Sequence, residues 1–269
     1  MERGGISCLS VVIGLLLLQA CEEGPPSSLA GSDEPLALQD SEKKLDHLTV
    51  CTPTVENFPS PLTSSNPYFP IDLDLQWTLE GEEDGVPVKL LLTILDETRE
   101  IEGITTRVFE EREWEDDELI EISWNYVAET ANGTVCYFGE DVDDIENDVV
   151  VGNEGRWCAE DTPDVNKGGI FMPADPKPGM TFLQEDAPGI ALDGAKIVGS
   201  GPTTVPFDTF NQTIRFREFS LIEGEGKRDY KVFGNNFGLL VDGPLELTDF
   251  TQNAVDPGDP ISEQVCGSP

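Results

Sequence analysis

The chain has 269 residues, of which 53 are acidic and 16 basic, giving a formal net charge of −37 spread along its whole length. Such a surface is a poor partner for nucleic acid or anionic headgroups, because binding phosphates needs clustered Lys and Arg. The single histidine, His47, falls in a tether-like stretch, so Ser-His-Asp and Cys-His hydrolases and His-based metal sites are excluded from the folded part. Nucleotide-binding glycine motifs are missing too; Gly224-Glu-Gly226 lacks the third glycine and the βαβ setting.

In chain order, Arg3 precedes an apolar run from Leu9 to Leu18 that ends in Gln19-Ala20-Cys21. That run is about half of what a membrane-spanning helix needs, and with small Ala20 behind it, it reads as a signal peptide over residues 1–20. Leu18-x-Ala20-Cys21 has the form of a lipobox, which makes Cys21 the lipidation site and anchors the chain by acyl groups. The alternative is an ordinary signal cut near Ala20; both export the protein. Glu22 is not the aspartate associated with inner-membrane retention, which favours the outer membrane or cell surface. Residues 21–50 are rich in Pro, Ser, Gly and charge and read as a tether. Residues 51–269 form the acidic β-rich domain.

Cys8 leaves with the signal and Cys21 is taken by lipid, so Cys51, Cys136, Cys158 and Cys266 remain for disulfides in an oxidising compartment. Four cysteines allow three connectivities; the expected one is Cys136 with Cys158 and Cys51 with Cys266. No Cys-x-x-Cys spacing for zinc is present.

From residue 71 the pattern is β. Strands are predicted at Leu75–Leu79, Val88–Leu95, Thr105–Trp114, Leu119–Val127, Val135–Phe138, Gly169–Met172, Ala195–Val198, Thr213–Phe219, Asp229–Phe233 and Phe237–Val241. The clearest is Leu119–Val127, where Ile120, Ile122, Trp124 and Tyr126 alternate with Glu121, Ser123 and Asn125, one face buried and one wet. Asp116-Asp117 marks the turn before it, and Asn132-Gly133 the hairpin after it. Pro173–Gly179 and Gly199–Pro202 separate later strands. The fold class is all-β, an antiparallel meander forming a strongly curved sheet or open barrel, whose concave face is the expected ligand surface.

Asn66-Pro-Tyr-Phe-Pro-Ile71 followed by Trp77, then Trp124-Asn-Tyr126, Gly133-Thr-Val-Cys-Tyr-Phe-Gly-Glu-Asp141 and Met172-Pro-Ala-Asp-Pro-Lys-Pro-Gly179 together resemble an uncharacterised group of exported bacterial β-rich proteins and lipoproteins. Where that group has Pro-Gly before the tryptophan, Leu73 and Asp74 stand here. The resemblance implies export and a β fold and brings no catalytic residue.

The chemistry left is acidic. Glu140 to Asp148 holds a dense run of carboxylates after a predicted strand, and calcium is the candidate cofactor, with Asp141, Asp143, Asp144 and Asp148 as its ligands. Glu110, Glu111 and Glu113 near Trp114, or Glu121 near Trp124, are the first places for a hydrolytic carboxylate pair beside an aromatic platform. Arg215 and Arg217, two apart on a strand, share one face and would pair with internal acids or meet an anionic ligand. The sequence therefore points to a membrane-anchored exported lipoprotein, a non-catalytic binding or structural module stabilised by calcium, with an envelope or surface ligand or protein as partner and no nucleic acid. The alternative is a carboxylate-dependent hydrolase acting on envelope or extracellular polysaccharide.

Overall fold

The computed structural model describes residue 51, residues 57–60, 62–159, 167–222 and 230–254, and residue 266, and among them fourteen strands, all paired antiparallel. The signal peptide, Cys21 and His47 lie outside these residues. The strands are β1 (Gln76–Glu83), β2 (Val86–Ile101), β3 (Ile104–Glu115), β4 (Glu118–Glu129), β5 (Val135–Glu146), β6 (Val149–Gly152), β7 (Trp157–Cys158), β8 (Gly169–Met172), β9 (Thr181–Leu183), β10 (Asp193–Thr204), β11 (Thr209–Ser220), β12 (Tyr230–Gly234), β13 (Gly238–Asp242) and β14 (Leu245–Thr251).

They make one antiparallel sheet in the order β6-β5-β4-β3-β2-β1-β14-β13-β12-β11-β10-β9, with β7 and β8 also pairing β5. The sheet curls without closing into a barrel. Strand β8 joins its two ends: it pairs with β5, while Lys167 just before it bridges to Asp186 beyond β9.

Local chemistry explains the hairpins. Asp116 and Asp117 both sit at positive φ in the β3–β4 turn, the conformation that a tight hairpin with right-handed strand twist demands and that Asp tolerates. At the Asn132-Gly133 turn, Thr130 N donates to Thr134 O at 2.8 Å and the Thr134 amide is held by Asn132 Oδ1 at 3.1 Å. Asp74 also adopts positive φ, a conformation that Asp tolerates.

The structure departs from the sequence pattern in several places. Gly199–Pro202 lies within β10, as bulges rather than a break. The acidic run continues β5 to Glu146 instead of forming a loop. Strands β6, β7, β9 and β14 were not anticipated. The disulfides join Cys51 to Cys136 and Cys158 to Cys266, not the expected pairs. The reason is local: β7 folds back so that Cys158 stands opposite Gly139, facing the returning C-terminal residue instead of Cys136.

Among the described residues, aromatic side chains fill much of the concave side. Phe69, Phe109, Phe171 and Phe233 pack ring to ring across it, from 4.3 to 6.4 Å between centroids. This aromatic plug ties β3 to β12 and β8. Residues on β4 are buried on both faces, including the supposed wet row, where Glu121 is 9 %, Ser123 3 % and Asn125 1 % exposed.

Candidate functional site

Cross-strand register shows where polarity enters the interior. One inner row reads Trp77, Leu92, Glu111, Ser123 and Val142, and the next Leu79, Leu90, Glu113, Glu121 and Asp144. The inner face is apolar on β1 and β2 and turns acidic from β3 onward. Glu140, Glu185 and Asp193 extend the acidic cluster. The Tyr137 hydroxyl contacts both Asn125 Oδ1 and Glu140 Oε2, and Asn125 Nδ2 reaches Glu111 Oε2 at 3.5 Å. Trp157 Nε1 donates to Glu185 Oε1 at 3.4 Å. A buried cation stands near these acids: Lys231 Nζ lies 3.2 Å from Glu218 and 3.8 Å from Asp242.

Burial sets the protonation of this cluster. It pushes Glu111, Glu121 and Glu185 well above the usual carboxylate range, raises Asp193, and carries Glu140 up to about 8, with neighbouring acids adding to the shift in each case except Asp193. Among the described residues Glu111 Oε1, Glu140 Oε1 and Glu185 Oε2 have no hydrogen-bond partner, which a neutral carboxyl tolerates better than a carboxylate.

The sequence candidates separate accordingly. Glu110 is on the outer face and forms a bidentate pair with Arg112, 2.6 and 3.2 Å, both buried. Glu111, Glu113 and Glu121 face inward. Trp124 shares the outer row with Glu110 but is 2 % exposed; half-buried Trp114 instead carries the Lys89 ammonium 3.8 Å from its ring centroid. Of the calcium candidates, Asp141 accepts from the Tyr126 hydroxyl at 2.6 Å, Asp143 from Asn153 at 2.9 Å and Asp144 from the Glu154 amide at 3.0 Å. Asp143 and Asp144, adjacent on a strand, point to opposite faces, and Asp148 lies in the β5–β6 turn. These four do not fit one coordination sphere, and among the described residues no group of three or more His, Cys, Asp or Glu is arranged to hold a metal ion.

Segments 66–71, 133–141 and 172–179 meet at one buried side chain. Asn66 Nδ2 donates to Gly133 O at 2.8 Å and Pro173 O at 3.0 Å, while its Oδ1 accepts from the amides of Tyr68 and Phe69. Glu129 adds the Ser65 and Asn66 amides at 2.7 and 3.0 Å. The segments thus meet in a structural clasp between the entering chain, the β4–β5 turn and the loop after β8.

An open concavity lies on the outer face of β10–β14. The row Gly199, Arg215, Val232, Val241 and Glu246 crosses it. Gly199 leaves room beside Arg215: a Cβ built there would meet nothing within 4 Å. The groove, about 490 Å³, is lined by Ser200, Gly201, Pro202, Thr203, Arg215 and Tyr230. Arg215 is exposed and, among the described residues, makes no ion pair, in contrast to Arg99 and Arg112, which pair with Glu97 and Glu110. Tyr230 is 45 % exposed beside it. Pairing of Arg215 and Arg217 on one face was legible in the sequence; the groove was not, because it depends on which glycines fall opposite them.

No protein-family model and no curated protein matches the chain. Among solved structures it is similar to a Bacteroides fragilis protein with a YmcC-like fold, at 13 % identity and a TM-score of 0.29 over 70 % of this chain and 100 % of that one.

Proposed function

We propose that the protein is an exported β module, anchored through Cys21 at the outer membrane or cell surface, that binds a small carboxylate-bearing ligand of the envelope in the outer groove. The observation that carries this reading is Arg215. In a chain with 53 acidic residues, an exposed guanidinium that makes no ion pair among the described residues and stands beside Gly199 in the groove is available to something outside the protein. Arginine offers a planar fork that matches a carboxylate, the exposed Tyr230 ring offers a stacking face, and Ser200 and Thr203 supply hydroxyls that suit a sugar. A polyanion would meet the repulsion of the whole surface, so a short acidic saccharide fits better than an extended one. The anchor is supported by the Leu18-x-Ala20-Cys21 pattern.

Calorimetric titration with uronic-acid disaccharides and their neutral counterparts tests this. Binding of the acidic series only, lost in Arg215→Ala and in Gly199→Val while the melting temperature stays unchanged, is the expected result. Equal binding of acidic and neutral sugars, or binding that survives both substitutions, removes the groove from consideration.

A further inference from the structure

Lys196, Arg217 and Tyr230 follow one another across β10, β11 and β12, each directly opposite the next. Thr181 of β9 completes the row on the far side of Lys196, and Arg215 stands two residues from Arg217, on the same face of β11. Three of the chain's 16 basic residues thus share one patch of the outer face, with Lys196, Arg215 and Tyr230 exposed and Arg217 half-buried. Tyr230 connects this patch to the groove, which it lines together with Gly199 and Arg215.

The patch is unfavourable by itself. Like charges directly opposite each other on paired strands repel, and a chain with 53 acidic residues has ample means to neutralise them. Yet the row Thr181, Lys196, Arg217 and Tyr230 contains no acid, and in the row of Arg215 the acid is Glu246, three strands away on β14. Among the described residues Lys196, Arg215 and Arg217 make no ion pair, whereas Arg99, Arg112, Lys177 and Lys231 each hold a carboxylate.

Taking the groove as the binding site proposed above, we infer that its ligand carries two anionic groups, one met by the Arg215 guanidinium and the other by Lys196 and Arg217 together. Alternate residues of a strand stand about 7 Å apart, a separation that two neighbouring acidic sugars can span. The second anion relieves the repulsion between Lys196 and Arg217 and gains charge-assisted hydrogen bonds from both. Tyr230, shared by row and groove, offers its ring to the sugar that joins the two anions. The rest of the surface repels anions, so a longer run of charges overhangs the patch and meets repulsion. The ligand class is therefore a diacidic disaccharide, two adjacent uronic acids, rather than one acidic sugar carrying a neutral one.

Calorimetric titration of the full chain at low ionic strength compares digalacturonic acid with a disaccharide of one galacturonic acid and one neutral galactose. Digalacturonic acid is expected to bind roughly tenfold more tightly than the single-acid sugar. Lys196→Gln and Arg217→Gln should each remove most of that advantage while leaving the single-acid sugar's affinity and the melting temperature unchanged, whereas Arg215→Ala should weaken both sugars. Equal affinity for the two sugars in the wild-type chain overturns the second subsite and leaves the groove standing. An advantage that survives both glutamine substitutions overturns it too, since the second anion is then held elsewhere. Binding of neither sugar removes the groove together with its second subsite.

Discussion

Glu140 Oε2 lies 3.0 Å from the hydroxyl of Tyr137, whose single proton is also within reach of Asn125 Oδ1. One proton cannot serve both acceptors, and the arrangement closes when Glu140 is the neutral acid and supplies the second proton. Burial, holding Glu140 up to about 8, agrees. Glu140→Gln should then be tolerated at neutral pH and flatten the fall of melting temperature between pH 5 and 8, whereas Glu140→Ala should cost about 2–3 kcal/mol as an unfilled polar cavity. A steep wild-type-like slope in Glu140→Gln would count against a protonated Glu140.

The same reasoning applies to the whole cluster. Glu111, Glu121, Glu140, Glu185 and Asp193 all hold protons more tightly folded than unfolded, so the folded state binds more protons above the ordinary carboxylate range. Stability is greatest below that range and declines as pH rises toward and through the raised values. Denaturant midpoints should be higher at pH 5 than at pH 8, at constant ionic strength. A midpoint that rises with pH would show the cluster ionised in the fold.

These features were partly legible. The period of two in Leu119–Val127 gave β4, and Asp116-Asp117 gave its turn. What alternation could not give is which row meets water, because that depends on curling of the sheet: Glu121, Ser123 and Asn125 look like a solvent face and instead line the interior. Disulfide connectivity was hidden for a similar reason, since β7 is only two residues long and its return onto β5 leaves no periodic signal.

A non-reduced peptide map should contain Cys51 linked to Cys136 and Cys158 linked to Cys266. The bonds close separations of 85 and 108 residues, so removing either, as Cys51→Ser with Cys136→Ser or Cys158→Ser with Cys266→Ser, should lower stability by about 3–5 kcal/mol. Recovery of a Cys136–Cys158 peptide would refute this pairing.

Gly139 has positive φ, and a Cβ there would lie 2.3 Å from Trp157 O. Gly139→Ala should push β7 off β5 and cost about 2–4 kcal/mol. Near-UV circular dichroism, which reports the packing of Trp157 on Tyr137, checks it; an unchanged spectrum and melting temperature would mean the close approach is absent in solution.

Calcium and sodium chloride at matched ionic strength should raise the melting temperature equally, as screening of a strongly acidic surface does. A calcium-specific rise lost in Asp143→Asn plus Asp144→Asn would place a cation on β5 after all.

The Cys51–Cys136 bond also decides how a tethered domain carries load. If the chain is held to a membrane at its N-terminus, tension from that side crosses from Cys51 straight into β5, the strand that pairs with β4, β6, β7 and β8. Residues 52–135, which include β1 to β4, are left slack. Drag on the domain is then borne by a covalent link to a strand with four paired neighbours, and the hairpins on the slack side have no reason to peel.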